Sequence, residues 1–215
     1  PVNARVHRKK DPTTTIAHAA AMLTQISSWL PGRDLHLVAD GAYATLAGAH
    51  LPRVHLTSRM PRDAAGVPAR ATAHRGKRGR PRTKGERLPT PAELSQTLPN
   101  RAWRPVEVDT RGTTVTRLVH VPDVLWHRVN KTDLLRLVIV RDPDRAQPDD
   151  YFFTTNLTAT GAQVATRYAT RWAIEVCFRD VKQDLGSQDP QSWKRQGPER
   201  AAAGRQLRTR ARCFL

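Results

Sequence analysis

The sequence predicts a mixed α/β (α+β) fold with a β-rich insertion ahead of its last long helix, and three observations carry that expectation. A segment of helical period near the start is followed by two short apolar runs. β-forming residues separated by turn residues then fill 101–156. A second helical period runs from the cap candidates Thr158 and Thr160 to about Leu185.

Asp11-Pro12-Thr13 stands before apolar residues at Ile16, Ala19, Ala20, Leu23, Ile26 and Leu30, a helical spacing with cap candidates in front, and Pro31-Gly32 stops it. Leu35 to Ala39 reads as a short strand ending at Asp40-Gly41-Ala42-Tyr43, and Val54 to Ser58 as another. A helix beside two short strands is an α/β unit, so 1–63 is expected to be the first part of a core. From Ala64 to Pro99 the pattern gives way to Pro, Gly, Arg and Lys, which predicts a basic loop over 64–100. Strands are expected at Val106–Val108, Thr113–Val121, Val124–Val129, Leu134–Val140 and Tyr151–Thr155, with turns at Arg111-Gly112 and Asp142-Pro143. One helix is expected within 157–190, ended by Gly186. The tail 191–215 is Arg-rich and poor material for a core, with five Arg and no acid between Arg200 and Leu215.

At 215 residues, 39% of them hydrophobic, the chain is long enough to bury a core. Thirty-six Lys and Arg against nineteen Asp and Glu give a formal charge of +17. Such a field attracts a polyanion and holds it by counterion release, so nucleic acid is the expected partner. Cys177 and Cys213 are far apart and lack metal-type spacing, so the sequence supports neither a disulfide framework nor a zinc site. No apolar run reaches the roughly 18 residues needed to span a bilayer, so a cytoplasmic protein without a membrane partner is expected.

On the last helix Ile174, Cys177, Phe178, Val181 and Leu185 form an apolar seam expected to pack inward. Tyr168, Arg171, Glu175 and Lys182 form a second stripe about 60 degrees wide, roughly a quarter turn from that seam. A carboxylate there would be partly desolvated between cations that attract phosphate, which suits metal-dependent phosphoryl transfer. An exposed Arg171–Glu175 pair at i, i+4 is the plainer reading of the same residues.

The string Tyr168-x2-Arg171-x3-Glu175-x6-Lys182 resembles the Tyr-Arg-Glu-Lys signature of the DDE-type insertion-sequence transposases. Leu37-Val38-Ala39-Asp40-Gly41-Ala42-Tyr43 is similar to that family's second-carboxylate strand, and Phe152 to Asn156 resembles the strand entering its last catalytic helix. The resemblance covers about Pro1 to Pro198. It implies a partial ribonuclease H-like fold with a strand-rich insertion before the last catalytic helix. It also implies Mg²⁺, with Mn²⁺ as substitute, held by Asp40 and Glu175 as catalytic carboxylates. Tyr168, Arg171 and Lys182 would serve as DNA contacts. The implied partners are transposon ends and target DNA, in a nucleoid-associated setting, and the resemblance allows a homodimer in a synaptic complex. The implied chemistry is strand cleavage by water and then strand transfer by the freed 3′ hydroxyl.

That resemblance places the first Asp on a strand upstream of the first helix, where only Asp11 stands, beside Pro12 and in the position of a cap. The expectation is therefore a transposase fragment inactive alone, with a tail of the kind a frameshift produces. Lys77-Arg78-Gly79-Arg80-Pro81-Arg82 also resembles an AT-hook, so Lys77, Arg78, Arg80 and Arg82 are candidate DNA contacts. A non-catalytic DNA-binding protein using that loop is the alternative reading, and an inert remnant a third.

Overall fold

The computed structural model describes residues 12–64 and 89–183. The chain divides into two units, Asp34–Thr170 on the one hand and Pro1–Arg33 with Arg171–Leu215 on the other.

Asp34–Thr170 is built on one mixed sheet. Its strands are β1 (Leu35–Ala39), β2 (Val54–Arg59), β3 (Arg104–Thr110), β4 (Thr113–His120), β5 (Asp123–Val124), β6 (Leu135–Arg141) and β7 (Asp150–Thr154). The spatial order is β1-β2-β7-β6-β4-β3, with β5 added to β6. β1 and β2 are parallel, with Leu35 opposite Val54, while every other pairing is antiparallel. The strands expected as an insertion thus extend the sheet that β1 and β2 begin. The link is β2 against β7, where Thr57 faces Thr154 and their hydroxyls are 3.2 Å apart.

Each turn has a local cause. The β3–β4 hairpin closes through Arg111 and Gly112, both at positive φ, which is the mirror-image turn whose twist matches the strands. Gly112 adopts this freely, and its N–H donates to the Asp109 carboxylate at 2.9 Å. The Asp142-Pro143 turn also forms, closed by Arg145 N–H donating to the Asp142 carbonyl at 3.0 Å. The strand expected at Val124–Val129 shrinks to Asp123–Val124. Trp126–Val129 turns instead. Asn130 then fixes the path of the next residues, accepting from the backbones of Thr132 and Asp133 and donating to the Ala47 carbonyl.

Both sheet faces are covered, which is why β6 is buried along nearly its whole length. On one face Val138, Val140 and Phe152 pack against Val164 and Ala165 of helix α3 (Gly161–Thr170). Thr160 and Gln163 cap that helix reciprocally. On the other face Leu135, Leu137, Ile139 and Phe153 are fully buried, with the Phe153 ring edge-on to Trp126 at 5.4 Å. Arg141 projects on that face too. It donates to both carboxylate oxygens of Asp149 at 3.0 and 2.6 Å and to the Ser95 carbonyl at 2.7 Å, and it lies 3.8 Å from the Trp103 ring centre.

Ser95 belongs to α2 (Pro91–Thr97), a helix in a stretch expected to be loop. Thr90 accepts from Glu93 N–H, Glu93 accepts from Thr90 N–H, and Pro91 occupies the first turn. This capping box, with proline where its missing N–H costs nothing, explains so short a helix. Thr90→Ala should lower stability by about 1 kcal/mol, a fall in melting temperature of roughly 2–4 °C; no change in a thermal scan would show that the box is not what holds α2.

In the other unit, α1 (Thr15–Trp29) is capped by the Thr14 hydroxyl, which accepts from Ala17 N–H at 3.1 Å. The cap is thus Thr14 rather than the residues at 11–13, and Asp11 lies outside the described residues. The single helix expected over 157–190 is two, α3 and α4 (Trp172–Gln183), interrupted at Arg171. The Thr170 hydroxyl donates to the Arg167 carbonyl at 2.7 Å, and Ile174 N–H bonds only three residues back, to Arg171. Local side-chain bonding of this kind competes with the helical ladder. The seam expected to face inward is exposed where it is described, Ile174 at 47% and Phe178 at 61%. The expected seam belongs to one continuous helix, and the chain is interrupted at Arg171.

Candidate active site

Asp40 sits at the carboxyl end of β1, where open α/β sheets place their ligands. It is the last extended residue before a 3-10 helix, Gly41–Gly48, and its carbonyl accepts from Tyr43 N–H at 2.9 Å. The carboxylate makes no capping bond and is exposed. Gly41 suits a crowded position, because a Cβ there would lie 3.3 Å from the Arg59 carbonyl oxygen at the end of β2. The Asp-Gly step therefore turns the chain sharply over the neighbouring strand while leaving the Asp40 oxygens available.

Glu175 lies in the first turn of α4, where the helix dipole favours a negative charge. Arg171 Nη2 donates to its Oε1 at 2.7 Å, and the Glu175 side chain is 51% exposed. An i, i+4 pair this open is worth a few tenths of a kcal/mol, so Glu175 can exchange its partner at little cost. Lys182 lies on the same helix.

Tyr168 stands elsewhere. Its ring stacks on Phe152 at 4.4 Å on the α3 face of the sheet, in the unit that holds Asp40. The stripe expected to join Tyr168, Arg171, Glu175 and Lys182 is therefore divided by the interruption at Arg171: Arg171 and Glu175 are brought together, and the Tyr168 ring packs on Phe152. Lys77, Arg78, Arg80 and Arg82 lie outside the described residues.

Several polar groups come together that the sequence does not single out. Arg59, at the end of β2, is ion-paired with Asp150 at the start of β7. His36 and His55 are paired across β1 and β2 with stacked rings. Only the strand register brings such residues together, and nothing in the local sequence announces it.

Carboxylate oxygens are hard donors, so Asp40 and Glu175 fit Mg²⁺ or Mn²⁺ in kind. Among the described residues no group of three or more His, Cys, Asp or Glu side chains is placed to hold a metal ion. No described helix is long and apolar enough to cross a membrane.

Comparison with known families gives two matches. Residues 2–115, more than half the chain and including Asp40, match the DDE superfamily endonuclease model. Residues 109–197, including Glu175, match the model of the archaeal transposase ISC1217 family. No curated protein and no solved structure gives a significant match.

Proposed function

Because the chain belongs to the DDE superfamily of endonucleases, as an insertion-sequence transposase, we propose that it binds DNA and contributes Asp40 and Glu175 to a divalent-metal site for phosphodiester cleavage and strand transfer. The observation that carries this reading is the state of the two carboxylates, one uncapped at a strand end and one in an exchangeable ion pair. Bound Mg²⁺ or Mn²⁺ would activate the attacking oxygen and neutralise the leaving one. Arg171, displaced from Glu175, has a fork of donors that suits a phosphate of the same strand. Lys182, further along α4, supplies a second cation. Asp40 remains fixed by the strand that ends at it, so it can hold position without a partner of its own.

Two carboxylates hold a metal pair weakly, because the repulsion between them is poorly offset. A site made of these two carboxylates alone is therefore expected to bind Mn²⁺ weakly and to leave supercoiled DNA uncut in Mg²⁺. Electron paramagnetic resonance of free Mn²⁺ measures the first and a plasmid nicking assay the second. Asp40→Asn and Glu175→Gln should each reduce Mn²⁺ uptake, and uptake unchanged in both would remove these residues from the site. Metal-dependent nicking by the chain, lost in Glu175→Gln, would show instead that two carboxylates suffice.

A further inference from the structure

The helix-bearing face of the sheet holds a polar cluster that includes neither Asp40 nor Glu175. Thr154 is two residues from Phe152 and shares its face, Thr57 pairs with Thr154, and His55 is two residues before Thr57. His36 pairs with His55. Both imidazoles therefore stand on the face that α3 covers, with ring centres 5.3 Å apart and planes 25° from parallel. Arg167 lies on α3, which packs on β2 and β7, and is close enough to His36 to act on its charge. Its Nη1 is enclosed without a hydrogen-bond partner among the described residues.

We propose that His36, His55 and Arg167 form a receiving site for a backbone phosphate of DNA. The proposal rests on the reading of the chain as a DNA-acting transposase. An arginine nitrogen enclosed without an acceptor among the described residues is unfavourable for stability alone, because a buried donor left unmade carries a desolvation cost. A phosphate oxygen supplies the missing acceptor. Arginine offers it a planar fork and the imidazoles offer N–H donors, contacts that position a duplex without reading its sequence.

The electrostatics favour an anion at this cluster. His36 is exposed overall, yet partial burial, then Arg167, then His55 hold its pKa below the usual imidazole range, and only Asp34 opposes them. These groups, from β1, β2, α3 and the residue before β1, are those that act on it. A bound phosphate would favour the imidazolium, so phosphate affinity should rise as pH falls from about 7.5 to 5.5.

The test is fluorescence anisotropy of a mixed-sequence duplex with the full 215-residue chain, over a range of salt and pH. The comparison is among the wild type, Arg167→Gln, the double variant His36→Gln/His55→Gln, and Arg104→Gln as an equal loss of exposed charge elsewhere. The slope of log affinity against log salt should fall by about 1 for Arg167→Gln, more than for Arg104→Gln. The double variant should lose the rise in affinity at low pH. Imidazole proton shifts of His36 and His55 on addition of duplex give a readout that needs no substitution. A wild type that binds duplex with neither shift, and variants that keep its slope and pH profile, would overturn the site while leaving DNA binding intact. A wild type that binds no duplex would overturn the DNA reading itself.

Discussion

Asp149→Ala is expected to destabilise the folded chain by about 3–5 kcal/mol, a fall in melting temperature of roughly 6–20 °C. Arg141 is only 5% exposed, so its charge has left water almost completely. Asp149 meets both of its inner nitrogens, while the Ser95 carbonyl and the Trp103 ring supply weaker compensation. Removing the carboxylate leaves a cation that cannot shed its proton and has no route to solvent. The cost is that of the uncompensated charge rather than the net worth of the pair. Replacing both partners by apolar residues, as in Arg141→Met/Asp149→Leu, should therefore recover much of the loss. Chemical denaturation of the two variants decides the matter. A loss below about 1 kcal/mol for Asp149→Ala would mean that water reaches Arg141.

Phe153→Ala should cost about 3–5 kcal/mol as well, by a different route. The ring is fully buried on the face opposite α3, edge-on to Trp126 and level with Leu137 across the β6–β7 pairing. Leu137 lies in a strand bonded on both sides, so the backbone there resists collapse into the space. The loss then combines transfer and cavity terms. A double-mutant cycle with Trp126→Ala should leave a coupling of about 0.5–1.5 kcal/mol from the ring pair. Stability within about 1 kcal/mol of the wild type would show that this face tolerates repacking.

Much of the sheet was legible in the sequence, since β1, β2, β4, β6 and β7 lie within a residue or two of the expected runs. Period-two alternation and turn residues report on neighbours along the chain, and these strands are defined by such neighbours. Their joining into one sheet was not legible, because β2 and β7 meet through residues far apart in sequence. α2 could have been found: Thr90-Pro91-Ala92-Glu93 spells its capping box, overlooked beside the basic run. The interruption at Arg171 could not, because Tyr168, Arg171, Glu175 and Lys182 keep an unbroken helical period on either side of it. Asp40 and Glu175 were singled out by resemblance, while the strand end at Asp40 and the open i, i+4 pair at Glu175 were legible from local spacing. His36 and His55 escaped notice because a histidine second in a short strand has no signature of its own.

The pairing of β2 with β7 has a consequence for how the polypeptide reaches its native state. Thr57 and Thr154 are 97 positions apart, and the Thr155 hydroxyl that accepts from Leu56 N–H is 99 from it. The β3–β4 hairpin can close as soon as it is synthesised, and the β6–β7 pair soon after, but β2 gains its antiparallel neighbour only once both ends of that span are available. Non-local pairing of this kind slows folding more than it weakens the product, because closing the larger loop adds only about 0.6 kcal/mol per doubling of its length. A nascent chain stalled before β7 would thus present β2 with an unpaired edge, the condition under which newly made β proteins aggregate or recruit chaperones.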